Sequence, residues 1–455
     1  MHPSFLSRSQ FAIPLEPVTA EGLGPWTKAQ DDRVKMLVDA MGFRAEAGKT
    51  LVVTGPEGTI ERVIVGLGDG KDGFVFAGLP GVLPAGDYAL SGIPDGLDGQ
   101  TLALGWADGA YRFGRYKPSK DKPRRLVLPK GIDAEETDRI AEAIDWLRDL
   151  VNTPPCDMGP VQIAEQAEAL GREFNAACEI VTGETLETGY PMVHAVGKGA
   201  EQAPRYIEIV WGREDAPKVA IVGKGVSFDT GGLNIKTSGM AMMKKDMGGA
   251  AHALALAKLV MSAGLDVRLT LSVPAVENAI GSKAFRPSDI LTSRKGLTVE
   301  IDNTDAEGRL ILADALTKVS EGSPELVIDF ATLTGAARTA VGPDLAPFYT
   351  DDEKLAAEIS AAAKATGDPA WRMPLWAEYD AMLSSSVADM KNSGDSPMAG
   401  SITAALFLKK FVSAPSWVHL DIWAWRLGKY GRPAGAAACG LRAMYAVLKG
   451  RYAAS

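Results

Sequence analysis

The stretch VEIDNTDAEGRLILADAL, residues 299–316, carries Asp302, Asp305, Glu307 and Arg309 within eight positions and then turns into an apolar run. With Leu297 and Thr298 added, its first half (LTVEIDN) reads as a strand, and its second half repeats apolar residues at helical spacing as far as Glu321. A strand feeding straight into a helix is the repeating unit of an α/β sheet, and such sheets collect their ligands beyond the carboxyl ends of the strands. The charges sit at that junction. Taken alone, Asp305 and Glu307 have a plain explanation, because acids at a helix start are favoured by its dipole.

The same alternation runs outward from this stretch. From about residue 160, strand candidates YIEIVWG, KVAIVGKG, RLTLSVPAVEN, ELVIDFATLTG and WVHLDIWAW alternate with helical segments such as 247–263 and 308–321. KVAIVGKGVSFDTGGLNIK places Lys224 after a strand, Asp229 five residues later, and Lys236 beyond a glycine pair that permits a tight turn. In MMKKDMGGAAHALALAKLV, Asp246 precedes a long apolar helix and by itself reads as an ordinary N-cap. These plain readings leave one fact unexplained. Three junctions deliver carboxylates to what should be the same sheet edge, and Asp305 and Glu307, two apart, point to one side of an extended turn. Four acids gathered there repel one another unless cations sit among them.

Composition limits what those cations serve. At 455 residues the chain exceeds one usual core, so two domains are expected, and 46% hydrophobic with 23% charged residues gives ample interior. A net charge of −9 argues against a mainly nucleic-acid-binding role, and the one basic run, KPSKDKPRR at 117–125, reads as a solvated linker. No signal peptide or membrane span is apparent. The widely spaced Cys156, Cys178 and Cys439 fit neither a disulfide framework nor a cysteine-rich zinc site, so a reducing cytoplasm is the simplest location.

Competing motif readings fall away. The glycines lack the P-loop pattern, and the single DTG at 229–231 lacks the second tripeptide or β-rich dimer of an aspartic protease. There is no HExxH, and of the four histidines, His252 and His419 lie in apolar segments that read as core. A carboxylate-rich site suits magnesium, manganese or zinc and can bridge two ions. A two-metal phosphoesterase remains a rival, for which more histidine ligands are expected.

The strings GKGVSFDTGGLNIK, KKDMGGAA, NTDAEGRL and DFATLTGA, in this order and spacing, resemble the leucyl aminopeptidase family of dinuclear metallopeptidases, the M17 group. VNTPP (151–155), ADMKNSG (388–394) and WVHLDI (417–422) extend the resemblance over roughly 150–450. It implies an α/β protein of two domains: a smaller, variable N-terminal α/β domain (1–130) with an oligomer or access role, a connecting helix and linker (131–155), and a catalytic domain (156–455) with a mixed central sheet flanked by helices. In the first of these, TLVVTG, RVIVGLG and GFVFAGLP read as strands, and residues 133–152 as a helix stopped by Pro154 and Pro155.

The resemblance also implies roles. Lys224, Asp229, Asp246 and Glu307 would bind one exchangeable ion, and Asp229, Asp305 and Glu307 the second, with Asp305 also offering its carbonyl. The ions would be manganese or zinc, with magnesium a further option. Lys236 would stabilise an oxyanion, and Arg309 would hold a bicarbonate that relays protons. Met243, Thr332 and Gly335 would line the pocket for the first side chain, giving a leucine-like preference for peptide substrates. Relatives commonly carry one residue more between Lys236 and Asp246, and AGTAW where this chain reads WAW after HLDI. A homohexamer in the cytoplasm is implied, without membrane association; the rival from another class is an idle or DNA-binding scaffold on the same fold.

Overall fold

The computed structural model describes residues 1–394, 396–428 and 433–453. By its contacts the chain divides into two units: Met1–Asp145 with Arg426–Gly435, and Trp146–Trp425 with Ala436–Ser455. The division falls within the helix Ala134–Asn152, whose end just ahead of Pro154 and Pro155 follows from the missing N–H and ring bulk of proline.

The first unit is built on a six-stranded sheet in the order Phe5–Leu6, Arg124–Val127, Gly86–Leu90, Ile13–Val18, Ile60–Gly66, Thr50–Thr54. All neighbours are parallel except the last pair. Val34 and Val38 of the helix Asp32–Ala40 pack on Val18, Leu51, Val53 and Ile64 of the sheet. GFVFAGLP, expected as a strand, is instead a 3-10 turn (Val75–Gly78) followed by the short helix Leu79–Val82. Phe74, Val75, Phe76 and Ala77 are all buried, and the turn packs on the helix Gly99–Ala110. A short run that is apolar on every side carries no period by which strand and helix could be told apart.

The second unit has a nine-stranded mixed sheet. Its order is Ala370–Arg372, Ala346–Tyr349, Ser416–Asp421, Leu326–Ala331, Lys218–Gly223, Arg268–Asn278, Arg205–Trp211, Ala177–Val181, with Gly225–Asp229 pairing with the far half of Arg268–Asn278. The central pairings are parallel, and Arg205–Trp211 runs antiparallel to both its neighbours. KVAIVG and LVIDFA are buried at nearly every position, as parallel strands covered on both faces must be. Leu310, Leu312 and Leu316 of the helix Gly308–Glu321 share a core with Ala220, Val222 and Val327, and the helix Gly248–Ser262 packs on the same strands.

One expected strand lies elsewhere. Of LTVEIDN only Thr298–Glu300 is extended, and it belongs to a separate three-stranded sheet with Ile290–Thr292 and Met390–Lys391. The chain leaves that ladder because a side chain replaces it. Asn392 Oδ1 accepts from the backbone N–H groups of Asp302 (2.8 Å) and Asn303 (3.2 Å), while its Nδ2 donates to the Asn303 carbonyl (2.7 Å). The carboxylates of 305 and 307 are therefore carried by a loop pinned from beneath rather than by an edge of the central sheet. Among the described residues no helix is long and apolar enough to cross a membrane.

Candidate metal centre and active site

Asp229 ends the strand Gly225–Asp229, and its two oxygens are divided between structure and site. Oδ1 accepts from Gly231 N (2.9 Å) and Asn278 Nδ2 (2.8 Å), which leaves Oδ2 for Lys236 Nζ at 2.6 Å. Lys236 returns to Asp229 because Gly231 and Gly232 both take left-handed backbone angles, φ 89° and 62°, and its N–H closes the turn on Thr230 O (2.9 Å). Lys236 Nζ also donates to Asp305 Oδ1. The Asp305 loop is tied to this turn by Thr304 Oγ1, which donates to Gly231 O (2.6 Å), and by Asn278 Nδ2, which donates to Thr304 O (3.1 Å).

Lys224 follows the strand Lys218–Gly223 and is buried. Its ammonium lies 2.6 Å from Asp246 Oδ2 and 3.0 Å from Glu307 Oε1, and donates to the Thr332 carbonyl at 3.2 Å. Asp246 is not the N-cap expected from its position: it lies in the 3-10 segment Met240–Met247, and Met247 caps the helix Gly248–Ser262. Its carboxylate faces inward, where Thr332 Oγ1 donates to Oδ1 at 2.8 Å. Glu307 begins the helix Gly308–Glu321 in helical conformation, φ −73° and ψ −34°, rather than in an extended turn, and makes no capping bond. Asp229, Asp305 and Glu307 each offer an oxygen, all within 4.8 Å of one another.

Electrostatics follow from this crowding. Burial, then the charge of Asp229, pushes the Glu307 carboxyl up to about 8 and that of Asp305 up to about 6. Burial acts the same way on Asp246, but Lys224 and Lys245 outweigh it and hold the carboxyl down at about 2. For Lys224 and Lys236, burial disfavours the charged form, and the surrounding carboxylates overcome it and raise both well above the ordinary lysine range. Burial lowers the Arg309 guanidinium to about 10; its Nη1 donates to Asn392 O (2.7 Å), and its Nε is buried without a partner.

These residues fit divalent cations. Glu307 Oε2 is buried with no hydrogen-bond partner, and Oε1 has only the approach of Lys224, outside hydrogen-bond geometry. A buried carboxyl left orphaned among other acids is costly, and oxygen ligands at this spacing are what a hard or borderline cation requires. The two lysine ammoniums occupy the carboxylates as cations do.

A cleft of about 270 Å³ opens over the cluster. Of the ten residues singled out in the sequence, Lys224, Asp229, Lys236, Met243, Asp246, Asp305, Arg309, Thr332 and Gly335 line it. Glu307, 1% exposed, lies beneath. His252 and His419 are core residues: His252 Nδ1 meets Gly248 O (2.6 Å) with burial lowering its pKa to about 4, and His419 Nδ1 pairs with Asp329 Oδ1 (2.5 Å). Sequence reasoning passed over Asn278 and Asn392, which orient the carboxylate-bearing turns, and Lys245 and Arg338, which line the cleft. Asn392 lay within the quoted ADMKNSG and Lys245 within KKDMGGAA; no local spacing marks Asn278 or Arg338.

The model of the cytosol aminopeptidase family catalytic domain (M17) matches residues 145–445, and that of the M17 aminopeptidase N-terminal domain matches 13–129. A probable cytosol aminopeptidase of Rhodococcus jostii (strain RHA1) is 41% identical over 346 residues, covering 72% of this chain and 68% of the relative. Among solved structures, a cytosol aminopeptidase from Coxiella burnetii is 42% identical with a TM-score of 0.94, covering 99% of each chain. The bottromycin maturation enzyme BotP, in complex with Mn, is 32% identical with a TM-score of 0.86, covering 96% of this chain and 99% of that one. With both domains matched and a buried carboxylate cluster that fits divalent cations, the chain belongs to the M17 cytosol aminopeptidase family and is a metal-dependent aminopeptidase.

Proposed function

We propose that the protein releases N-terminal residues, leucine-like ones included, from peptides in the cytoplasm as a homohexamer, using two manganese or zinc ions per subunit. The observation that carries this reading is the group of Asp229, Asp305 and Glu307 within 4.8 Å, with Glu307 Oε2 orphaned. Lys224, Asp229, Asp246 and Glu307 would hold one ion and Asp229, Asp305 and Glu307 the other, Asp229 and Glu307 serving both. When bound, the pair lowers the pKa of water and polarises a carbonyl.

The chain's own groups do the rest. Lys224, held between Asp246 and Glu307, would serve as a ligand only after giving up its proton, a loss that a neighbouring cation would favour. Lys236, freed from Asp229 and Asp305 once ions neutralise them, would stabilise negative charge developing on the scissile carbonyl oxygen. Arg309, buried with a free Nε, would hold bicarbonate as the base that takes the proton of the attacking water. Met243, Thr332 and Gly335 would receive the first side chain.

Leucyl-p-nitroanilide and p-nitrophenyl phosphate assayed side by side with added manganese test this reading. The parent should cleave the anilide and leave the phosphate. Asp305→Ala should lose turnover together with bound metal, while Lys236→Ala should keep the metal and lose about 10²- to 10³-fold in kcat. Light scattering on the same preparation should give a hexamer. Phosphatase activity without peptidase activity, or variants that turn over like the parent, would overturn it.

A further inference from the structure

The cleft holds two cations that the reading above leaves idle. Lys245 and Arg338 line it together with Met243, Thr332 and Gly335. Arg338 comes from the helix Gly335–Val341 and folds back on its start, so that a Cβ placed on Gly335 would lie 4.0 Å from Arg338 Nη2. Its Nη1 is buried without a hydrogen-bond partner. The carboxylate in ion-pair range is Asp421, whose Oδ1 is 4.0 Å away, too far for a hydrogen bond.

Asp421 is already engaged. Its Oδ1 accepts from the N–H groups of Leu333 (3.0 Å) and Thr334 (3.1 Å), and its Oδ2 from Thr334 Oγ1 (2.6 Å), so it holds the turn at the end of Leu326–Ala331 rather than saturating the arginine. Lys245 is buried nearby, its Nζ 3.4 Å from Asp246 Oδ1. A guanidinium with an orphaned donor beside the side-chain pocket is matched by one ligand chemistry above others, because its planar fork fits a carboxylate in two-point contact.

Resting on the aminopeptidase reading, we propose that the first-side-chain pocket recognises a carboxylate, so that peptides beginning with glutamate or aspartate are substrates and Arg338 is the residue that reads the charge. The methylenes of a glutamyl side chain would lie along Met243 and Thr332, and its carboxylate would meet the guanidinium at Nη2, the atom that faces Gly335, while Nη1 stays turned toward Asp421. Lys245 adds positive charge to the same wall.

The test compares glutamyl- with glutaminyl-p-nitroanilide, substrates of one shape that differ in charge, on the manganese-loaded protein, with the leucyl substrate alongside. The parent should favour glutamyl over glutaminyl by about tenfold or more in kcat/KM, the difference expected for hydrogen bonds to a charged group. Arg338→Met should bring that ratio to about one, and Arg338→Lys should leave an intermediate value; each ratio is internal to one preparation, so partial misfolding cancels. Should Arg338→Met not fold, the parent and Arg338→Lys still decide. A parent ratio near one, or a ratio that survives Arg338→Met, overturns the proposal. No cleavage of the leucyl or glutamyl substrates would instead strike at the aminopeptidase reading itself.

Discussion

Glu307 is the side chain on which most of the site's physics converges. Its carboxyl is pushed up to about 8, above the ordinary 4.5, first by burial and then by Asp229; Asp305 is pushed up to about 6. In the ion-free native state both groups keep protons that the unfolded chain releases nearer pH 4. The native state therefore binds more protons across roughly pH 5 to 8, and through these groups its stability falls as pH rises over that window. A divalent cation favours the ionised carboxylates and removes the penalty. The gain in melting temperature on adding manganese should thus be larger at pH 8 than at pH 5.5; equal gains would show that these carboxyls do not meet the ion. At this scale the sequence showed acids at three strand-to-helix junctions, each with a plain reading of its own, and only the family resemblance implied a ligand's role for them. Neither marked Arg338. That guanidinium matters only through a turn, Leu333–Thr334, and an acid, Asp421, at the ends of two adjacent strands, and no local spacing records the meeting.

Among the elements, the helix Gly308–Glu321 sets how close Lys224 comes to Glu307. A Cβ on Gly308 would lie 2.4 Å from Lys224 Cε and 2.8 Å from its Nζ, closer than atoms can stand. The lysine end is flexible, so Gly308→Ala should move it off Glu307 and Asp246 rather than unfold the helix. Metal affinity and kcat should fall about tenfold or more while stability changes by less than about 3 kcal/mol, the range for overpacking. Calorimetric metal titration beside chemical denaturation checks this; unchanged affinity would mean that Lys224 plays no part in binding the ion. The helices Gly248–Ser262 and Gly308–Glu321 were legible from their apolar spacing, as were the central strands from their continuous apolar runs. The partner of LTVEIDN was not. Alternation tells that a segment can be extended, and only Asn392, 90 residues from Asp302, decides that this one leaves its ladder early to carry a loop.

In the whole molecule, the ends of central strands and a loop outside that sheet meet in one place. Lys224 and Asp229 arrive from strands consecutive in sequence, Asp246 from the 3-10 segment before one flanking helix, and Asp305 and Glu307 from the loop before the other. Each delivery has a local cause, and the site exists because all are anchored at once. We propose that the acids so gathered hold two divalent ions where two lysine ammoniums now sit. Anomalous diffraction from a crystal grown with excess manganese reads this out. Two peaks per chain are predicted, one among Asp229, Asp246, Glu307 and Lys224 and one among Asp229, Asp305 and Glu307, with Lys236 withdrawn from Asp229 and Asp305. Lys224 and Lys236 still seated on these carboxylates, with no manganese between them, would contradict it.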